Sequence, residues 1–283
     1  MTEIQDIRLI PLLESEDPIL FSSSATSEDY AKSYIPKYKK VRGKKVQKGV
    51  REIYAPSEEL KRLQKDIIKR LSRYGIGLHD AAHAYRRKRN IVTMAEKHVG
   101  KKGVLRLDLQ DFFPSVTEEM VMTRLPRRVP TNLKRLIRNW CFLEGVLPQG
   151  APSSPFLSNI ALFGLDQKIS KLLSVWRTRD WISQKGLIQL STKQRRVESI
   201  EYSRYCDDLI FSSNYPYLKS LIPSIKKIIE SYGLKVNPKK VRYASRGGRQ
   251  YVTGVIVNEK LSATKVVRDN LRAEMHHLIL DTA

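Results

Sequence analysis

The stretch EYSRYCDDLIFSS, residues 201–213, sets two adjacent carboxylates, Asp207 and Asp208, between apolar and aromatic neighbours in what otherwise reads as a buried strand. Neighbouring carboxylates repel each other, and removing them from water is costly unless a cation sits between them. The chain around them has the opposite sign: 52 Lys and Arg against 29 Asp and Glu give a net charge of +23. In a flat strand consecutive side chains point to opposite faces, so the two aspartates share a ligand only at a tight turn. The segment therefore reads as a hairpin with the pair at its tip.

At 283 residues the chain buries a sizeable core, as one elaborated domain or two to three subdomains. Its charge implies a polyanionic partner, nucleic acid being the simplest; a basic surface with no such partner is the competing reading. Cys141 and Cys206 are too few for a disulfide framework and lack metal-ligand spacing. The amino terminus, MTEIQDIRLIPLLESEDPIL, is acidic where a secretion signal would be basic, and no apolar run approaches the length of a membrane span. A soluble cytoplasmic protein is expected.

Residues 1–30 are acidic and Ser-rich and read as a short helix followed by a tether. From Lys32 to Arg51 the charge inverts, and Tyr30, Tyr34, Tyr38 and Tyr54 are interleaved with the cations. Cations for phosphates and flat rings for bases suit a nucleic-acid surface; a solvated basic loop is the alternative. Ser57 reads as the N-cap of a helix with Leu60, Leu63, Ile67, Ile68 and Leu71 at helical spacing, stopped by Gly75. HAYRRKRNIVTMAEKHVGKK (83–102) reads as a basic loop and then a helix, with His83 and His98 structural.

VLRLDLQDFF (104–113) alternates as a half-buried strand that delivers Asp108 to one face near its end. In LPQGAPSSPFLSN (147–159), three prolines and a glycine stiffen a loop. Ser153 or Ser154 then caps a helix with Pro155 near its first position, and apolar residues run on to Leu173. Such a loop can hold Gln149 and its backbone against a ligand; an ordinary helix entry is the alternative. Residues 174–200, with Trp176 and Trp181 among many cations, read as an exposed insertion. Leu218, Leu221, Ile222, Ile225, Ile228 and Ile229 mark a helix that Gly233 ends. A strand (LKV), a basic turn (NPKK), a hairpin (RGGRQYVTGVIVN) and one last helix follow.

This order is the α+β pattern of helices packed on one face of an antiparallel sheet. With the 207–208 tip beside the end of the Asp108 strand, three carboxylates meet. Such a cluster needs cations, and oxygen ligands suit Mg²⁺. Two such ions activate an attacking hydroxyl and stabilise a leaving pyrophosphate in an in-line displacement. The expected chemistry is nucleotidyl transfer.

YCDD (205–208) resembles the Tyr-X-Asp-Asp box of reverse transcriptases, RLDLQDFFPSV their first aspartate motif, and LPQGAPSSPFLSN their glutamine–glycine motif. GLKVNPKK and RQYVTGVIVN are similar to the next two, and the match runs in order over roughly residues 35–258. The resemblance implies a polymerase right-hand fold: fingers and an antiparallel palm sheet backed by helices, with a short thumb. It divides the chain into an extension (1–30), fingers (31–103), a palm (104–258, with an insertion at about 174–200) and the start of a thumb (259–283). It implies Asp108 and Asp207 as the main ligands of two Mg²⁺ ions, with Asp208 completing the cluster and Leu109 adding a backbone carbonyl. Asp111 and Phe112 would offer amides to the triphosphate of a dNTP, and Phe113 would lie under its sugar and exclude a 2′-hydroxyl. Gln149 would contact the nucleotide and template region. Arg51, with Lys44 as the weaker candidate, would grip the triphosphate. Lys240, with Lys239 as the competing choice, would protonate pyrophosphate. Lys39, Lys40, Arg86, Arg87, Lys88, Arg89, Gly150 and Arg249 are the implied nucleic-acid contacts.

Within that family the chain is similar to the short retron type. Val252-Thr253-Gly254 matches a late palm box, and MAEKH (94–98) resembles an Asn-Ala-X-X-His box with Met94 in place of Asn. LRAEMHHL resembles the start of a retron thumb. Cys206 stands where Ala is usual, the 174–200 link is longer than usual, and the thumb region has room for one helix where a bundle is expected. The likeness implies a structured non-coding RNA as template and primer, and a branched RNA-linked DNA product begun from a 2′-hydroxyl of an internal guanosine. It also implies an effector protein and a role in anti-phage defence. The alternatives are another defence-associated bacterial reverse transcriptase with different priming, and a non-catalytic RNA-binding scaffold on a degenerate palm. The intact Asp108, Gln149, Asp207 and Asp208 speak against the scaffold.

Overall fold

The structure is a computed structural model that describes residues 22–41, 44–178, 200–214 and 218–281. The amino-terminal extension up to residue 21, the insertion from 179 to 199 and the side chains of Lys39, Lys40 and Lys44 lie outside the described residues. The chain forms two compact units, each built from two segments: Met1–Leu78 with Asp111–Leu162, and His79–Gln110 with Phe163–Ala283. Among the described residues no helix is long and apolar enough to cross a membrane.

In the first unit, β1 (Tyr30–Val41) and β2 (Lys44–Pro56) pair antiparallel as one long hairpin, with a register shift between Lys37 and Tyr38. The basic stretch is therefore strand rather than a solvated loop, and Tyr34, Tyr38, Val46 and Val50 stand exposed on it. Ser57 caps α1 (Glu58–Ser72), its Oγ accepting from the Leu60 amide at 3.2 Å. Leu60, Leu63, Ile67 and Leu71 form its buried face, which packs on α4 (Thr131–Trp140). Between them in sequence comes the short α3 (Glu118–Met122). Gln64, buried in this seam, donates to the Tyr30 hydroxyl and the Trp140 carbonyl. The proline-rich loop leads into α5 (Ser154–Ala161), with Pro155 in its first turn.

The second unit is α+β. Its four-stranded sheet runs β4–β5–β3–β6, with β3 (Gly103–Asp108), β4 (Glu201–Tyr205), β5 (Asp208–Ser213) and β6 (Arg242–Ser245), every neighbouring pair antiparallel. The β3 strand, one of the two inner strands of the sheet, is buried along its length except at Arg106, rather than half-buried. Helices α6 (Phe163–Thr178) and α7 (Ile222–Glu230) pack against each other, and the short α2 (Ile91–Glu96) packs on β4. The apolar run from 154 is thus two helices broken at Leu162, and the second continues to Thr178, past the expected start of the insertion. LKV supplies a single bridge, Val236 to Leu109, because Asn237-Pro238 turns the chain at once into a 3₁₀ segment.

A second small sheet, β7 (Tyr251–Val252), β8 (Val255–Ile256) and β9 (Ser262–Ala263), is followed by α8 (Lys265–Asp281). Thr253 and Gly254, both at positive φ, form the two-residue loop between β7 and β8, the conformation that twists with its strands. Val252 and Val257 share one buried cluster with Met94, Ala95, Val104 and Ile210. The two boxes likened to the retron type therefore pack on each other. Met94 accepts there from the Thr253 hydroxyl through its sulfur.

Candidate active site

Asp108 is the last residue of β3, and its register partner across the antiparallel pair is Asp208, the first residue of β5. The hairpin from β4 turns through Cys206 and Asp207, and the Leu109 amide donates to the Asp207 carbonyl at 2.9 Å. Backbone pairing alone therefore brings the two sequence-distant aspartate motifs together. Asp207 sits in the turn, while Asp208 belongs to the strand. Cys206 takes φ +57°, a left-handed conformation that costs a non-glycine residue on the order of 1 kcal/mol or more and persists only where its surroundings fix it.

The Asp108 and Asp207 charges both act on the Asp208 carboxyl, so the three side chains share one neighbourhood. Among the described residues no set of three His, Cys, Asp or Glu side chains is arranged to hold a metal ion. Two cations of the protein instead take the strand-borne carboxylates. Arg106, two residues before Asp108 on the same strand face, donates from Nε and Nη2 to Asp208 at 2.8–3.0 Å. Lys240 Nζ donates to Asp108 Oδ2 at 2.7 Å. Burial pushes the Asp208 carboxyl above its usual range; Arg106 opposes this, and Asp207 and Asp108 add to it.

Asp108 is 2 % exposed, and its Oδ1 is buried without a hydrogen-bond partner. A hard, buried, unsatisfied carboxylate oxygen is the donor chemistry that a divalent cation such as Mg²⁺ takes. Asp108, Asp207 and the adjoining Leu109 backbone thus fit the ion, whereas both Asp208 oxygens are committed to Arg106.

Lys240, not Lys239, reaches the cluster. Its 3₁₀ turn, Pro238–Lys240, is anchored by the Asn237 amide donating to the Asp108 carbonyl at 2.8 Å. Arg86 and Arg89 turn inward, Arg86 to the His79 carbonyl and Arg89 to the Asp80 carbonyl and carboxylate. Arg87, Lys88 and Arg249 are exposed. Tyr85 sets its hydroxyl 3.5 Å from the Cys206 sulfur. Neither Arg106 nor Tyr85 was singled out by the sequence reading. Arg106 occupies an alternating polar position of a strand, which signals solvent until its partner is known.

In the first unit the Gln149 carbonyl accepts from the Tyr54 amide of β2 at 2.7 Å. Gly150 lies so close, at φ +122°, that a Cβ there would stand 2.8 Å from the Tyr54 carbonyl oxygen. Its glycine is needed for backbone approach. Ile53, also against Gly150, shares a strand face with the exposed Arg51, so that face of the hairpin is the one turned toward the glutamine–glycine loop. Asp111 is exposed at φ +42°, Phe112 is buried, and the half-buried Phe113 ring lies 5.1 Å from that of Phe112.

The profile of the reverse transcriptase (RNA-dependent DNA polymerase) family matches residues 35–265. The chain is 33% identical to the retron Ec83 reverse transcriptase of Escherichia coli over 76% of its length and 67% of that protein's. It is 32% identical to the retron Mx65 reverse transcriptase of Myxococcus xanthus over 81% of its length and 53% of that protein's. A structure of apo telomerase from Candida tropicalis superposes with a TM-score of 0.52 at 12% identity, covering 88% of this chain and 50% of that one. The fold is the right-hand fold of these polymerases, and the chain belongs to the reverse transcriptase family. Its curated relatives at this level are retron reverse transcriptases, and it spans between about half and two thirds of their length.

Proposed function

We propose that the chain is an RNA-directed DNA polymerase of the retron type that extends a primer with dNTPs on an RNA template. The observation that carries the reading is the pairing of Asp108 with Asp208 beneath the Cys206–Asp207 turn, at the end of an inner strand of the sheet. Two Mg²⁺ ions held by Asp108, Asp207 and the Leu109 carbonyl would supply an activated 3′-hydroxyl and a stabilised pyrophosphate. Asp208, fixed by Arg106, completes the negative charge of the site. Lys240 carries its ammonium on a side chain that is 45% exposed, so it is able to leave Asp108 and hand a proton to the departing pyrophosphate.

Arg51 with Lys44 takes the triphosphate, and the Asp111 and Phe112 amides assist. Phe113 excludes a 2′-hydroxyl, and Gln149 steadies the base pair being formed. The excess of positive charge serves a structured non-coding RNA and its branched DNA product, with Lys39, Lys40, Arg87, Lys88 and Arg249 at the phosphates. The non-coding RNA, an effector partner, a cytoplasmic setting and a part in anti-phage defence rest on kinship with retron relatives alone.

Primer extension on an RNA template with Mg²⁺ and dNTPs, wild type against Asp207→Asn, tests the reading. The variant is expected to lose several orders of magnitude in rate while still binding RNA. Equal rates in the two proteins would overturn it.

A further inference from the structure

Arg204 is the largest fully buried side chain among the described residues, and a buried guanidinium needs a reason. Its partner is Asp166 in the first turn of α6, equally buried. Nε donates to both Asp166 oxygens at 2.9 and 3.2 Å, and Nη2 donates to Oδ2 at 2.8 Å. Asp166 also accepts from the Tyr202 hydroxyl at 2.7 Å. The remaining arm, Nη1, donates to the Cys206 carbonyl at 3.2 Å. That carbonyl belongs to the peptide joining Cys206 to Asp207, in the strained turn.

The turn therefore has two consecutive carbonyls pinned from opposite partners: Cys206 by Arg204, and Asp207 by the Leu109 amide. Packing alone does not account for the first pin. An apolar side chain of the same volume would fill the space under the turn, often without loss of stability, but would donate nothing to the carbonyl. We propose that Arg204, anchored by Asp166, is a positioning residue that fixes the Cys206–Asp207 peptide and thereby the backbone from which the Asp207 carboxylate hangs. The catalytic part of this rests on the polymerase reading above; the structural part does not.

The test is the pair of substitutions Arg204→Met with Asp166→Asn, which removes both buried charges and leaves an oxygen for the Tyr202 hydroxyl. In the held turn the half-buried Cys206 sulfur lies 3.5 Å from the Tyr85 hydroxyl, so a loosened turn exposes it further to a thiol reagent. Cys141 is fully buried and serves as the internal control for an intact fold. Alkylation by iodoacetamide, followed by mass spectrometry of the two peptides, is expected to be at least about tenfold faster at Cys206 in the double variant, with Cys141 still protected. In primer extension kcat is expected to fall by about 100-fold, with KM for dNTP changed by less than about threefold.

Wild-type alkylation and wild-type kcat in the double variant would overturn the proposal. Should that variant fail to fold, Arg204→Lys decides. It keeps the charge for Asp166 but has no second arm for the carbonyl, so faster Cys206 alkylation supports the proposal and wild-type behaviour overturns it. If the wild type itself does not polymerise, the polymerase reading fails, and the alkylation rates still decide whether Arg204 holds the turn.

Discussion

Arg106 and Lys240 each give one strand-borne carboxylate a cation, and the two bonds differ in what they leave over. Arg106 uses both oxygens of Asp208, whereas Lys240 leaves Asp108 with one buried oxygen unsatisfied. Such an oxygen costs more than an exposed one and gains most from a bound cation. Phe113 is the residue whose proposed role has the sharpest readout. Its ring is half-buried and braced against Phe112, so it presents a fixed wall rather than a mobile side chain. Phe113→Ala is expected to lower the preference for dNTP over rNTP by roughly 10–200-fold, the range for a steric difference of this size. The ratio of kcat/KM values on the same template measures it, and an unchanged ratio would put the sugar elsewhere. Asp108, Asp207 and Gln149 stand out in the sequence as candidates because each sits in a local motif. Arg106 and Arg204 do not, since Arg106 meets Asp208 across 102 positions and Arg204 meets Asp166 across 38, and nothing local marks either pairing.

The elements that hold apolar faces were legible at the same level. The periodicity of α1, the capping by Ser57 and the two-residue loop at Thr253-Gly254 all follow from nearest neighbours. The β1–β2 hairpin was hidden because both of its faces are polar or solvent-exposed, so no period-2 apolar pattern marks it. The split of α5 from α6 at Leu162 was hidden because the apolar run continues through it. His98, just past α2, shows how an element is fastened: its Nδ1 meets the Ser212 hydroxyl of β5 at 2.6 Å. Burial, with lesser effects of His83, Lys97 and Lys101, pushes the His98 imidazole down to about 3. The unfolded chain therefore takes up a proton near pH 6.5 that the folded one refuses. The stabilisation is complete above pH 6.5 and is lost as the pH falls toward 3, by about 2 kcal/mol at pH 5. Urea unfolding at pH 7.5 and pH 5.0 measures it. The wild type is expected to lose about 2 kcal/mol more than His98→Asn between the two, and parallel losses would show that His98 is not the group refusing the proton.

At the scale of the molecule, each compact unit is assembled from two separate stretches of chain. The aspartates, Arg106, Arg204 and Lys240 belong to one unit, and Arg51, Phe113 and Gln149 to the other, with the chain crossing between them after Gln110. A sequence read from end to end suggests consecutive domains and does not show this interleaving. The net charge of +23 acts at the same scale. Charge of this size retains nucleic acid without choosing its sequence, and such binding weakens steeply with salt. On the proposed retron reading, selectivity for one RNA would come from shape and from unstacked bases, for which the hairpin offers Tyr34 and Tyr38, both exposed. Protein isolated from cells at low salt and washed stepwise is accordingly expected to shed mixed RNA first and keep one discrete species. Sequencing of the retained nucleic acid is expected to give a structured RNA joined to a single DNA through a branch. A homopolymeric or protein-linked DNA in its place would keep the polymerase and refute the retron mode of priming. Mixed RNA with no DNA at any step would remove the ground for both.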